Sequence, residues 1–245
     1  MKKYSKNTFL ALFAGSLLSV SLSHAASLPI TSSADLFIRG DQPNSTNQGA
    51  TLIVGELATG YKLRSLLSFD LSALPAGATI NSVQLVLHLA ENDATAVDTS
   101  LTLTLHAVTQ TWAEASVTWN NASAGTPWTT AGGTFDSTVL SSQTVPTKGS
   151  TGVDYTWDNT AEFLGIVRSA YASGTAVSFF LKDSDESTNQ RELVRFVSNN
   201  GAAGPKPQLI IDYTVSSVPE PSTCVVILAV AGLAVATVAR KRGKR

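Results

Sequence analysis

The sequence predicts an all-β body, an antiparallel β-sandwich of jelly-roll type with one short helix, set between an N-terminal signal peptide and a C-terminal transmembrane helix. Three observations predict it. Apolar residues through the middle of the chain recur with a period of two, the mark of strands with one face on a core. Asn, Asp, Gly and Ser clusters separate these runs at short intervals, as at 41–49, 91–100 and 199–204. Both ends of the chain carry a basic cluster beside an apolar run.

Residues 1–25 read as the signal. Lys2, Lys3 and Lys6 lead into the apolar run 9–18, and Ser23-His24-Ala25 supplies small residues for cleavage after Ala25. Strands follow across 27–215. In 83–89 every odd position is apolar, and in Leu101-Thr102-Leu103-Thr104-Leu105-His106 leucine alternates with polar residues. Val194-Arg195-Phe196-Val197 and Leu209-Ile210-Ile211-Asp212-Tyr213 continue the theme. One segment departs from it. Asn159 with Glu162 three residues on has the form of a capping box, and Phe163, Ile166, Val167, Ala170 and Tyr171 follow at helical spacing. That predicts a helix of about ten residues ended near Gly174. Finally, 222–239 is free of charge; as a helix at about 1.5 Å per residue it covers about 27 Å, close to the hydrocarbon core of a bilayer. Arg240, Lys241, Arg242, Lys244 and Arg245 would hold its far end in the cytoplasm.

The formal net charge of −1 hides an asymmetry, because 8 of the 17 basic residues lie in the two terminal clusters. Residues 7–239 therefore carry nine cations against all eighteen acids. A net-acidic middle cannot neutralise a row of phosphates and argues against nucleic acid as a partner. The single cysteine, Cys224, lies in the apolar tail, so the body has no disulfide framework and must be held by burial. No motif implies a cofactor.

The tail, Val218-Pro219-Glu220-Pro221 before an apolar helix and a short Arg-rich end, resembles the PEP-CTERM sorting signal of Gram-negative bacteria over 218–245. The resemblance implies an exosortase-type processing enzyme as partner, transient anchoring in the inner membrane, and delivery to the surface or a biofilm matrix. Prolines on both sides of Glu220 disfavour helix there and leave the segment extended. The body carries a second likeness. Asp35-Leu36-Phe37-Ile38, Asn47-Gln48-Gly49, Arg64-Ser65-Leu66-Leu67-Ser68-Phe69-Asp70-Leu71, Trp112-Ala113-Glu114, Val117-Thr118-Trp119-Asn120 and Lys206-Pro207-Gln208-Leu209 occur in an order similar to that of the DNRLRE domain. This β-sandwich occurs on bacterial and archaeal surface proteins. Some of its members are carbohydrate-binding modules, so the resemblance implies polysaccharide, an exopolysaccharide in particular, as ligand. The stretch around Glu192 departs from the family's usual ending.

Several side chains are candidates for that ligand. Trp112 and Trp119 sit within the motifs that carry the likeness to the DNRLRE domain and are expected to fill the core. Trp128, in a loop-like stretch, and Trp157 are the better platforms for a sugar's C–H face, with burial as the competing reading. Arg64, Arg191 and Arg195 could grip a uronic acid carboxylate bidentately; the simpler role for Arg64 is an internal pair with a carboxylate such as Asp70 or Glu56. Asp183, Asp185 and Glu186 offer oxygen ligands at alternate spacing, as suits a structural calcium, although a solvated turn explains them as well. His88 and His106 fall on polar strand faces without a flanking nucleophile, and no Gly-x-Ser-x-Gly elbow is present. The sequence thus points to an exported, non-catalytic surface or matrix protein that binds polysaccharide. The alternatives are a purely structural matrix subunit and a polysaccharide lyase or hydrolase.

Overall fold

The computed structural model describes residues 22–92, 95–96, 100–149, 151–201 and 204–217. The chain divides into one compact unit, Ala25–Val215, and a second made of Met1–His24 with Ser216–Arg245. Of the second unit only 22–24 and 216–217 are described, as the outer ends of two strands. In chain order the strands are β1 (Leu22–Thr31), β2 (Ala34–Arg39), β3 (Thr51–Glu56), β4 (Lys62–Phe69), β5 (Thr79–Asn92) and β6 (Ser100–Ala107). A small hairpin, β7 (Asn121–Ser123) and β8 (Thr126–Pro127), precedes β9 (Ser141–Pro146) and β10 (Val153–Trp157). Helix α1 (Ala161–Ser173) leads into β11 (Val177–Asp183), β12 (Glu192–Val197) and β13 (Gln208–Ser217).

The predicted architecture, antiparallel β with one short helix, describes what forms. Eleven strands make one sheet in the order β1-β13-β5-β12-β3-β4-β11-β6-β9, with β10 added on β5 and β2 on β4. The two layers of this sandwich-like body are therefore parts of a single sheet that curls back on itself. Strand β5 makes the bend. Its first residues pair β13, Leu85 to Leu89 pair β10, and Leu89 to Asn92 pair β12 across a register shift between Arg195 and Phe196. A bulge of that kind sharpens twist locally and lets a long strand serve two layers.

The alternation seen in the sequence places the core. Leu101, Leu103 and Leu105 of β6, Leu85, Leu87 and Leu89 of β5, and Leu209 and Ile211 of β13 all point inward and are buried. Trp157 crosses the middle of the core. Its indole N–H donates to the Leu103 carbonyl at 3.0 Å, and its ring meets Phe196 edge-on at 5.9 Å. Helix α1 closes one end through Phe163 and Val167, with Phe163 set edge-on against Phe179.

The cap of α1 differs by one residue from the expectation. Thr160 is the N-cap, its hydroxyl accepting the Phe163 N–H at 3.0 Å, while the Asn159 side chain accepts the Val83 N–H of β5. Thr and Asn are both good caps; the tie to β5 draws Asn159 away. Gly174 ends the helix as expected, in the left-handed conformation at φ 64°.

Ala25 lies exposed within β1. The apolar part of the signal, the Val218, Pro219, Glu220 and Pro221 motif, the span 222–239 and the basic cluster lie outside the described residues. Among the described residues no helix is long and apolar enough to cross a membrane.

Candidate functional site

Four neighbouring strands, β2, β4, β11 and β6, expose their outer face as three rows of residues. Register sets the rows. Ala34 stands beside Ser68, Ser68 beside Ser178, and Ser178 beside Val108 just after β6. The next row is Leu36, Leu66, Phe180 and His106. The third contains Ile38, Arg64, Lys182 and Thr104. An apolar middle row on an outer face demands cover. The connection 108–140 between β6 and β9 supplies it, laying Val117, Ala122, Trp128 and Phe135 over Leu36, Leu66 and Phe180 as a second core.

This cover is tightly fitted. At Gly133, φ is 112°, and a Cβ would lie 2.1 Å from Phe180 Cζ, so only glycine allows the backbone to rest on that ring. The Trp128 indole N–H donates to the Thr118 carbonyl at 3.0 Å, and its ring packs on Phe180. Under the cover lies His106, expected on a polar face and found buried. It donates from Nδ1 to the Asp136 carbonyl at 3.0 Å and accepts at Nε2 from the Thr104 hydroxyl. Burial lowers its pKa, and Lys182 and Arg64 push the same way, so the ring is neutral.

The third row is sealed by charge. Arg64 donates from Nε and one terminal nitrogen to both oxygens of Glu186, at 2.8 and 2.5 Å, and from the other to the Gly132 carbonyl at 2.7 Å. Its guanidinium lies over Trp119 at 5.1 Å and over Phe135 at 5.4 Å. The Trp119 ring is thus taken up between Arg64 and the Gly132 backbone.

The first row stays open. Ala34, Ser68 and Ser178 form a floor of small side chains at the mouth of a cleft of about 360 Å³, walled by Gln110, Trp112 and Glu114. That volume lies in the range of small-molecule sites. The floor is polar and fixed: Ser178 donates its hydroxyl to that of Ser68 at 3.0 Å. Gln110 spends its amide on Pro127, Thr129 and Thr134 and so braces the wall. Glu114 accepts the Asp35 N–H at 3.2 Å through one carboxylate oxygen. Asp35 is itself buried, its carboxylate taking the Ser32 hydroxyl and the Asn199 N–H; burial raises its pKa and the charge on Glu114 adds to the rise. Trp112 is half-buried, packed in part against the second core and lining the cleft with the rest. An indole beside hydroxyls and a carboxylate matches the two faces of a pyranose, C–H on one side and O–H at the rim.

A family model matches residues 26–213, that of carbohydrate-binding module family 96. The chain belongs to this family. A search of curated proteins returns no match. A second hollow in the module, about 590 Å³ between the 70–77 turn and the end of α1, is larger but less suited to a polar ligand. Its Tyr171 hydroxyl is already engaged, donating to the Pro75 carbonyl at 2.5 Å and accepting the Ala78 N–H.

The two tryptophans expected as platforms are interior, and the two expected in the core pack against the second core. Trp128 and Trp157, predicted as platforms, are 4% and 0% exposed, and neither presents a face to a ligand. Trp112 and Trp119, predicted as core, pack half-buried against the second core, and Trp112 also borders the cleft. Arg64 has an internal carboxylate partner, as expected, but the partner is Glu186. Arg195 faces Glu91 at 3.9 Å, and Arg191 donates to the Thr95 hydroxyl at 2.8 Å. None of the three arginines lines the cleft. The acidic run does not converge on an ion. Glu186 is held by Arg64, Asp185 accepts the Ser187 hydroxyl, and Asp183 is buried at the end of β11. Among the described residues no three such side chains are placed to hold a metal.

Proposed function

We propose that this chain is an exported, non-catalytic surface or extracellular-matrix protein that binds polysaccharide through the Trp112 cleft. The observation that carries the reading is the uncovered first row: three small side chains beneath a half-buried tryptophan, in a module of a carbohydrate-binding family. The covered middle row and the charge-sealed third row leave this part of the outer face open, with an aromatic wall that a pyranose ring can stack against. Membership of a binding-module family supports a role without catalysis.

Delivery is read from the ends of the chain. The Pro-Glu-Pro motif at 219–221, the charge-free span 222–239 and the basic end support sorting by an exosortase-type system, with the inner membrane as a waypoint before the surface or matrix.

Two measurements test the proposal. Binding of the full chain to a glycan array should weaken at least about tenfold, roughly 1.4 kcal/mol, in Trp112→Ala, and stay unchanged in Tyr61→Ala, whose ring is 47% exposed away from the cleft. Equal binding by both variants would remove the cleft from the account. Deleting 218–245 should move the protein from the membrane fraction to the medium; retention of the truncated chain in the membrane would refute the sorting assignment.

A further inference from the structure

The long axis of the cleft follows from the path of one connection. Segment 108–114 leaves β6 with Val108, whose N–H donates to the Ser178 carbonyl of β11 at 3.0 Å. It reaches β2 at Glu114, whose carboxylate accepts the Asp35 N–H at 3.2 Å. Between those ties it passes over β11 and β4, because the strands lie side by side in the order β2, β4, β11, β6. The three strand spacings from β2 to β6 come to about 14 Å, and six extended residue steps reach about 20 Å, so the segment has little slack. It therefore crosses the strands roughly parallel to the floor row of Ala34, Ser68 and Ser178. Further ties hold it in that course: the Thr109 N–H donates to the Thr134 carbonyl at 3.1 Å and the Ala113 N–H to the Ala122 carbonyl at 3.0 Å. Trp112 stands between them.

A straight wall over a floor of small side chains makes a slot, and exposed Ala176 lies on its lining. A linear chain buries the most surface there when its axis follows the wall. From this we infer that the cleft takes a run of sugar residues lying across the strands, about three pyranose rings long, as a floor of about 14 Å accommodates, rather than a single sugar. Each ring up to that number gains floor and wall contacts. A ring beyond it hangs in water and gains nothing to offset its ordering. The inference rests on the reading of the cleft as the glycan site.

Calorimetric titration of the full chain with graded oligosaccharides tests the length and the direction. The probes are mono- to hexasaccharide ladders from cellulose, mannan, polygalacturonate and polymannuronate. In a ladder that binds, the association constant should climb several-fold per residue to the trisaccharide and by less than about twofold per residue beyond it. Ser178→Leu fills the middle of the floor and should abolish binding at every length. Ala34→Leu blocks only the β2 end, and should remove the gain from the third residue while the disaccharide binds as before; circular dichroism checks that each variant is folded. A plateau at the monosaccharide, or a climb that continues to the hexasaccharide, with binding still lost in Trp112→Ala and Ser178→Leu, would overturn the three-residue slot and leave the cleft as the glycan site. An Ala34→Leu chain that binds the trisaccharide as tightly as the parent would overturn the crosswise direction. Binding indifferent to Trp112→Ala and Ser178→Leu, or absent with all four ladders, would overturn the cleft itself and the slot with it.

Discussion

Replacing Asp183 with Asn should make the protein more stable at neutral and alkaline pH. Asp183 ends β11 with 4% of its surface exposed. Burial is the main cause that pushes its carboxyl up to about 7 from an ordinary 3.8, and the charges of Glu192 and Glu186 add to it. The Asp185 N–H, which the carboxylate accepts at 3.3 Å, and the Lys182 cation oppose the rise without cancelling it. The folded chain therefore keeps a proton that the unfolded chain releases above pH 3.8. Across the window from 3.8 to about 7, stability contributed by this group falls as pH rises, at about 1.4 kcal/mol per unit. The loss is complete above pH 7 and amounts to at most about 4 kcal/mol, a large share of the roughly 5–15 kcal/mol that holds a domain together. Asn retains an oxygen for the Asp185 N–H and carries no charge. Urea unfolding of both chains at pH 5, 6, 7 and 8 isolates the group, since all other titrations are common to the pair. The gap in unfolding free energy should widen from pH 5 to pH 7 in favour of Asp183→Asn and then level off. Parallel curves, or a gap that closes as pH rises, would refute the argument that Asp183 is a desolvated, proton-holding carboxyl.

Other variants probe the packing that shapes the cleft. Gly133→Ala places a methyl against Phe180 at a backbone angle that disfavours any side chain, and should cost more than about 2 kcal/mol in thermal or urea unfolding; a neutral effect would mean that the cover does not rest on that ring. Arg64→Met leaves the Glu186 carboxylate, only 11% exposed, with the more distant Lys182 at 3.9 Å, and should cost about 3 kcal/mol, much of it recovered in the double variant with Glu186→Gln. Additive losses in that cycle would show that the pair is not coupled. Thr160→Ala removes the helix cap and should cost about 1 kcal/mol, read as a lower melting temperature. Excess EDTA should leave the melting temperature of the full chain unchanged, because Glu186 and Asp185 are already engaged; a drop on chelation would restore calcium to the Asp183–Glu186 turn.

The sequence by itself determined the strands, the helix and the inner core, because those follow from local period. Leu101, Leu103 and Leu105 face inward for the same reason that they alternate, and Gly174 stops α1 because a left-handed residue must. The sequence leaves Trp157 between a platform and burial as the competing reading, and the structure decides for burial. The doublets Leu66-Leu67 and Phe179-Phe180 also carried a signal: adjacent apolar residues in a strand imply cover on both faces. What provides that cover is not a local property. Trp128 is buried by Phe180, more than fifty residues later in the chain, and Arg64 is claimed by Glu186 at a separation of 122. Only the tertiary structure decided which rows of the outer face were sealed. It left Trp112 at the open one because the connection that covers Leu66 and Phe180 leaves the small side chains of Ser68 and Ser178 as the floor of a cleft.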